Sequence, residues 1–367
     1  VLLLGSTAFV LYTYVGYPLV LRLVARGAAV ASEEDPAETE WPMVSVTVPA
    51  YNEEARIADA LEHILELDYP DDRMEVAVVS DGSTDRTDEI VRGYADRGVT
   101  LFRHPERGGK TAAENWLAPR LRGEIVLNTD ASIRIRPDAL KRLIRPFITH
   151  GVGVASGRDV SVSADEANST EGEGRYVGYE MGIRSLETRA GGIVGASGCL
   201  YAIRADLHRY ELPPSLSRDF CSALVARSAG YAAVSVEAAT CLVPRTHSLR
   251  KEYRRKVRTM VRGMRTLTYK RSLLNPVREG VFAWKLLSHK VCRWASSWAL
   301  LVAAVGLLFL AAAGNLVGIV GTVLVGYASL AAGLAWFWPE SSTLPRLIAL
   351  PGFAVWSNVA AMHATLK

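Results

Sequence analysis

Apolar and polar positions are spread unevenly along this chain. Long uncharged runs sit at both ends, and short apolar runs alternate with amphipathic stretches in the middle. Val1–Val24 carries a single charge, Arg22, and is long enough to cross a bilayer as a helix, for which about 20 apolar residues suffice. No basic stretch precedes it, so it reads as a membrane helix (1–24) rather than a cleaved signal. The acidic, Pro-containing segment within 25–42 reads as a linker.

Between 43 and 246 the pattern predicts an α/β domain. MVSVTVPAY reads as a strand ending in a loop, Glu54–Leu67 has Ile57, Leu61, Ile64 and Leu65 at helical spacing, and MEVAVVS is a second strand. A DGSTD turn, a helix over Thr87–Ala95, the short strand Val99–Phe102, a Gly-rich loop, a helix around Ala112–Leu121 and the strand EIVLNTD follow. This β-α-β-α-β order implies a mostly parallel sheet covered by helices, with ligands at the carboxyl ends of the strands.

From 247 to 294 the chain is basic and amphipathic. Arg250, Lys251, Arg254, Arg255, Lys256, Arg258, Arg262 and Arg265 are opposed by little besides Glu252, which predicts helices lying on an anionic leaflet. Val277–Trp294 is expected to form a second interfacial helix. Three more spans are expected within 295–367, over Ala295–Ala313, Leu316–Trp338 and Arg346–Leu366. The basic region beside them places the central domain in the cytoplasm.

Composition sharpens this picture. With 49% hydrophobic and 22% charged residues in 367, the chain is neither disordered nor an ordinary soluble enzyme. A net charge of +4 suits a membrane face or an anionic partner, and no nucleic acid is expected as one. Four widely spaced cysteines form no CxxC pair, which argues against a disulfide framework or a zinc site. Ala/Arg/Val-rich usage suggests a bacterial source, hence an inner-membrane protein.

The candidate chemistry lies at four acidic positions, Glu53, Asp81, Asp130 and Asp219, each expected to close a strand or open a loop. A sugar nucleotide needs its base held flat, its ribose hydroxyls bonded and its diphosphate neutralised. Tyr51 offers a stacking face, Glu53 an acceptor for ribose, and Asp81 an acceptor for the uracil imide N–H. Asp130 stands where Mg²⁺ or Mn²⁺ could bridge two phosphates, since these ions favour hard oxygen ligands. Lys110 adds a point charge on the phosphates.

On these residues the sequence resembles the membrane-integrated branch of the family 2 glycosyltransferases, which includes cellulose and hyaluronan synthases. The matching segments are Pro49–Glu54, Ser80–Asp85, Gly109–Lys110, Thr129–Ser132, Gly195–Gly198 and Arg218–Phe220, with Arg255–Thr259 in the place of the QxxRW segment and Ser288–Lys290 also similar. The resemblance covers about residues 43 to 294. It implies a GT-A fold, an inverting transfer from a UDP-sugar, Asp219 as general base and Arg258 on the diphosphate. Gly198 and Arg255 fall in the acceptor region. Ser132 replaces a second metal-site Asp, and Arg218 precedes the base, where it would depress the pKa of Asp219 unless it points away. Arg255 and Thr259 replace Gln and Trp. Loss of that Trp platform favours transfer of one or a few sugars to a lipid or glycan over processive polysaccharide synthesis.

Other classes fit less well. Gly109–Lys110–Thr111 lacks the first Gly of a P-loop, no GxGxxG follows the first strand, and no HExxH is present. A nucleotide-binding transporter or scaffold would carry charges deep in its spans, and none are found there.

Overall fold

The computed structural model describes residues 1–27, 41–148, 151–162, 171–244, 248–339, 342 and 344–367, with the side chains of 162 and 171–177 excepted. The linker expected over 25–42 falls largely outside the described residues. Eight strands form one sheet: β1 (Val44–Ala50), β2 (Met74–Ser80), β3 (Val99–Arg103), β4 (Ile125–Thr129), β5 (Arg134–Ile135), β6 (Val152–Val162), β7 (Leu200–Arg204) and β8 (Ala232–Pro244). Their order is β3-β2-β1-β4-β7-β6-β8-β5. The first four strands pair in parallel and β7 joins β4 antiparallel. This is the α/β architecture that the alternating pattern predicts.

Both faces of the parallel half are covered, which is why its strands read as nearly continuous apolar runs. Val44, Val46 and Val48 pack with Ile57, Leu61 and Ile64 of the helix Ile57–Leu65 on one side. Ala77, Val79 and Val126 pack with Ala113 and Leu117 of the helix Lys110–Leu117 on the other. Register then sets the position of the site. Ala50 lies opposite Ser80, and Ser80 opposite Arg103, so the loops after β1, β2 and β3 leave the sheet at one level. Tyr51 and Asp81 therefore emerge side by side.

Among the described residues, four helices are long and apolar enough to cross a membrane: Leu2–Val24, Val281–Ala312, Leu316–Phe337 and Arg346–Thr365. Large apolar side chains such as Leu324, Phe309 and Leu4 stand exposed along them, a surface suited to lipid rather than water. Small residues let the helices approach: a Cβ on Gly306 would fall 3.2 Å from Leu3, and one on Gly321 2.7 Å from Leu307. One boundary differs from the sequence expectation. No break separates an interfacial helix ending at Trp294 from a span starting at Ala295; helix runs on from Val281 to Ala312 through a π-helical turn at Leu287–Cys292. The basic stretch forms the amphipathic helix Leu249–Tyr269, packed against the last apolar helix through Tyr253–His363 and Lys256–Ser357 hydrogen bonds of 2.9 and 2.8 Å.

Candidate active site

The loops after β1 and β2 are joined by each other's side chains. Asn52, the one non-glycine at positive φ (54°) among the described residues, accepts at Oδ1 from the Thr84 amide. The Glu53 amide donates to Thr87 Oγ1, the Glu54 amide to Asp85, and the Arg86 amide back to Glu54. The polar clusters YNEE and DGSTD thus satisfy each other's backbone and hold a rigid rim.

Asp81 is buried at that rim, and its two oxygens accept from the amides of Gly108 and Gly109 at 2.8 and 2.7 Å. It fixes the Gly-rich loop after β3, where Gly109 has φ of 86° and no Cβ to obstruct the turn. Arg107 of the same loop lies over the Tyr51 ring, 3.7 Å from its centroid. The stacking face expected on Tyr51 is therefore covered by a guanidinium, and a flat base would stack against this pair or displace Arg107.

Lys110 begins the next helix. Its Nζ donates to Asp130 at 2.5 Å and to the Gly198 carbonyl at 3.4 Å. Burial works to lower the Lys110 pKa, but the Asp130 and Glu114 carboxylates outweigh it and hold the ammonium above its ordinary value. Glu53 stands nearby, its carboxyl raised by burial, with Arg56 opposing and Asp130 and Asp85 adding to the rise.

Asp219 neither closes a strand nor opens a loop, the two placements the sequence pattern suggested; it sits in the first turn of the helix Arg218–Ser228. Ser217, the residue before that helix, donates its hydroxyl to Asp219 Oδ1 at 2.5 Å. Gly198 closes from the opposite side, and a Cβ there would lie 2.9 Å from Asp219 Oδ2. Contacts of Tyr51 with Arg107, of Asp81 with the Gly108 and Gly109 amides, and of Lys110 with Asp130 and Gly198, which abuts Asp219, thus join these residues through the loop segment 107–110 into one group. The segment carrying Gly198 is anchored from behind: Ser197 donates to Asp159 at 2.6 Å, and its amide to Ser156 at 2.8 Å.

Arg218 points away from this group. Buried at 4% exposure, it faces Glu114 at 3.4 Å and donates to the His208 carbonyl and to Asn115. Burial raises the Glu114 carboxyl, against the pull of Lys110 and Arg218. Burial likewise drives His208 well below its usual range, with Arg218 and Arg209 adding to that effect, so His208 is neutral and uses Nε2–H toward Asn128 at 3.1 Å.

Two expectations on the basic helix are displaced. Arg255 is bound in a bidentate pair to Glu252 on its own helix, both distances 2.7 Å. Arg258 is exposed, and among the described residues its side chain has no hydrogen bond or ion pair. The arginine fastened to the site is Arg262, one turn further along, which donates to Thr111 Oγ1 at 2.7 Å and to the Leu216 carbonyl. Its i,i+4 spacing from Arg258 was the available signal.

No three His, Cys, Asp or Glu side chains cluster as metal ligands among the described residues. Asp130 supplies one partly exposed carboxylate, already paired with Lys110. That donor set suits a Mg²⁺ or Mn²⁺ ion only when phosphate oxygens complete it, as these ions commonly accept.

A parallel half-sheet with acidic and glycine-rich loops at its carboxyl rim, followed by apolar helices, defines the class: a GT-A-like α/β domain joined to membrane-type helices. Residues 45–209 match the family described as "Glycosyl transferase family 2", so a glycosyltransferase domain of that kind forms the centre of the chain. A mannosyltransferase from Pyrobaculum calidifontis, solved with GDP-Man and Mn²⁺, superposes with a TM-score of 0.73 at 25% identity, covering 100% of this chain and 98% of that one. Among curated proteins, a beta-monoglucosyldiacylglycerol synthase of Nostoc sp. is 33% identical over 156 residues, which are 41% of this chain and 33% of that enzyme. Hyaluronan synthase of Streptococcus pyogenes is 27% identical over 199 residues, 48% of this chain and 47% of that enzyme. The chain therefore spans a third to a half of these relatives.

Proposed function

We propose that this protein moves a single sugar, or a few, from a nucleoside-diphosphate sugar to a hydroxyl of a membrane-associated lipid or glycan, with inversion at the anomeric carbon. The observation that carries this reading is the contact chain from Lys110 and Asp130 through Gly198 to Asp219. It sets a phosphate-binding cation and a potential base on opposite sides of one glycine.

In this reading Asp81 accepts a base N–H with the lone pairs left free by Gly108 and Gly109, Tyr51 and Arg107 flank the base, and Glu53 accepts from ribose. Lys110 neutralises the diphosphate. Asp130 would hold a Mg²⁺ or Mn²⁺ ion, which supplies charge stabilisation to a departing diphosphate when bound. Ser217 fixes one oxygen of Asp219, leaving the other to take the acceptor hydroxyl proton as the acceptor oxygen bonds to the anomeric carbon and the bond to the diphosphate breaks. Because Arg218 is engaged by Glu114, it does not blunt that base. The four apolar helices hold the domain at a bilayer, and the basic helix Leu249–Tyr269 suits its cytoplasmic face.

Lipid-acceptor names among the relatives and the missing Trp platform favour glycolipid synthesis over a processive synthase. The test is a donor screen on membranes containing the full chain, with UDP-glucose, UDP-N-acetylglucosamine and GDP-mannose, followed by mass analysis of the extracted product. A lipid carrying one or a few added hexoses supports the reading. Long polymer, or no release of nucleoside diphosphate from any donor, contradicts it.

A further inference from the structure

The π-helical turn Leu287–Cys292 lies between two α-helical segments of one membrane-type helix. Such widened turns interrupt regular hydrogen bonding and recur where side chains are re-aimed at functional sites. Three successive polar residues occupy this turn. Ser288 shares a 2.7 Å hydrogen bond with the Tyr12 hydroxyl, and His289 is held at both ring nitrogens, by Glu187 at 2.7 Å and Glu180 at 2.6 Å. Lys290 differs from both. Among the described residues its ammonium makes no hydrogen bond, although the residue is only partly exposed.

Its position is informative. Lys290 Nζ stands 5.2 Å from the centroid of Phe220, the residue after Asp219. It also lies 3.6 Å from where a Cβ on Gly195 would be, in the segment that ends with Gly198 against the Asp219 carboxylate. Phe220 packs with Val194, Phe282 and Leu286, so the wall beside the ammonium is apolar. The carboxylates that act on it, Glu180 and Glu187, are already committed: Glu180 is bound to His289 and Arg293, and Glu187 to His289 and Tyr17. A half-buried ammonium against apolar walls is costly unless an anion joins it.

We propose that Lys290 binds the headgroup phosphate of the lipid acceptor, so that the acceptor is an anionic phospholipid glycosylated on a free headgroup hydroxyl rather than a neutral glyceride. The inference rests on the glycolipid reading above and adds the acceptor's charge. Approach from the side where Val281–Ala312 enters the membrane would bring a headgroup phosphate to Lys290 and the accepting oxygen to Asp219.

The test uses the full chain in membranes with a radiolabelled nucleotide sugar, and the labelled lipids are separated on an anion-exchange resin. The expected result is label retained on the resin and released by salt. Lys290→Met should raise the KM for the lipid about tenfold to a hundredfold, as loss of a charge-assisted hydrogen bond predicts. Lys290→Arg, which keeps the charge and reports on folding, should restore most of that loss. Label in the unretained neutral lipids overturns the inference and leaves the glycolipid reading intact, whereas label in no lipid overturns both. A Lys290→Met enzyme whose KM rises for the nucleotide sugar instead assigns the ammonium to the donor diphosphate and also overturns the inference.

Discussion

Gly198→Ala isolates the geometry on which the proposed chemistry depends. The added methyl would lie 2.9 Å from Asp219 Oδ2 and 3.6 Å from its Cγ. Gly198 is not among the positive-φ glycines, so alanine meets no backbone penalty there. The strain falls on the Asp219 side chain, whose other oxygen is tied to Ser217 at 2.5 Å. Relief requires a shift of roughly half an ångström, to ordinary carbon–oxygen contact, and misplacing a reacting group by about 1 Å can cost about a hundredfold. Gly198→Ala should therefore lower kcat for lipid transfer by about tenfold, with donor KM nearly unchanged and a melting temperature close to the parent's. Steady-state kinetics on reconstituted enzyme, beside a thermal melt, measures all three. Parental kcat in the folded variant would refute the placement of the Asp219 carboxylate at the reacting centre.

Further outcomes follow from the same contacts. Arg218→Met removes one of the two cations that face buried Glu114, leaving Lys110, which should cost about 1–3 kcal/mol in denaturant unfolding; because Arg218 faces away from Asp219, the folded enzyme should keep most of its turnover. Asp130→Ala should abolish metal-dependent tightening of donor binding, read by calorimetry with and without a chelator, and donor affinity indifferent to chelation in the parent would remove the metal assignment. Burial alone would raise the Glu180 carboxyl, but Arg293 and His289 outweigh it and hold it well below the ordinary range. A depressed carboxyl stabilises the fold above its ordinary pKa, and that stability is lost as pH falls through the depressed value. Glu180→Gln should thus lower the melting temperature at about pH 7, and the gap should narrow only below about pH 4; an equal gap at both pH values would contradict the ion-pair account.

What the sequence revealed, and what it concealed, follow from the range of the contacts. Strands β1, β2 and β4 were legible because both faces of each are buried, leaving runs such as VSVTV and IVLNT with turn residues at their ends. Tyr51, Asp81, Lys110 and Asp130 were legible because parallel register carries loop residues to one rim. Arg107 over Tyr51 and the Glu114–Arg218 pair were not, since each joins residues far apart in the chain with no pattern between them. The choice of Arg262 over Arg258 depended on how the basic helix rotates against Thr111. The continuity of Val281–Ala312 was not legible, because the basic and polar residues before Trp294 read as interfacial until Tyr12, Glu180 and Glu187 are seen to satisfy Ser288 and His289.

The central claim, that one cleft grips a nucleotide sugar and presents it to a base at Asp219, is tested most directly with Asp219→Asn. Nucleoside-diphosphate binding measured by calorimetry should match the parent, while lipid glycosylation in the same preparation should fall by about a hundredfold to ten-thousandfold, the usual worth of a general base. Glycosylation within a few-fold of the parent, with binding intact, would contradict the account.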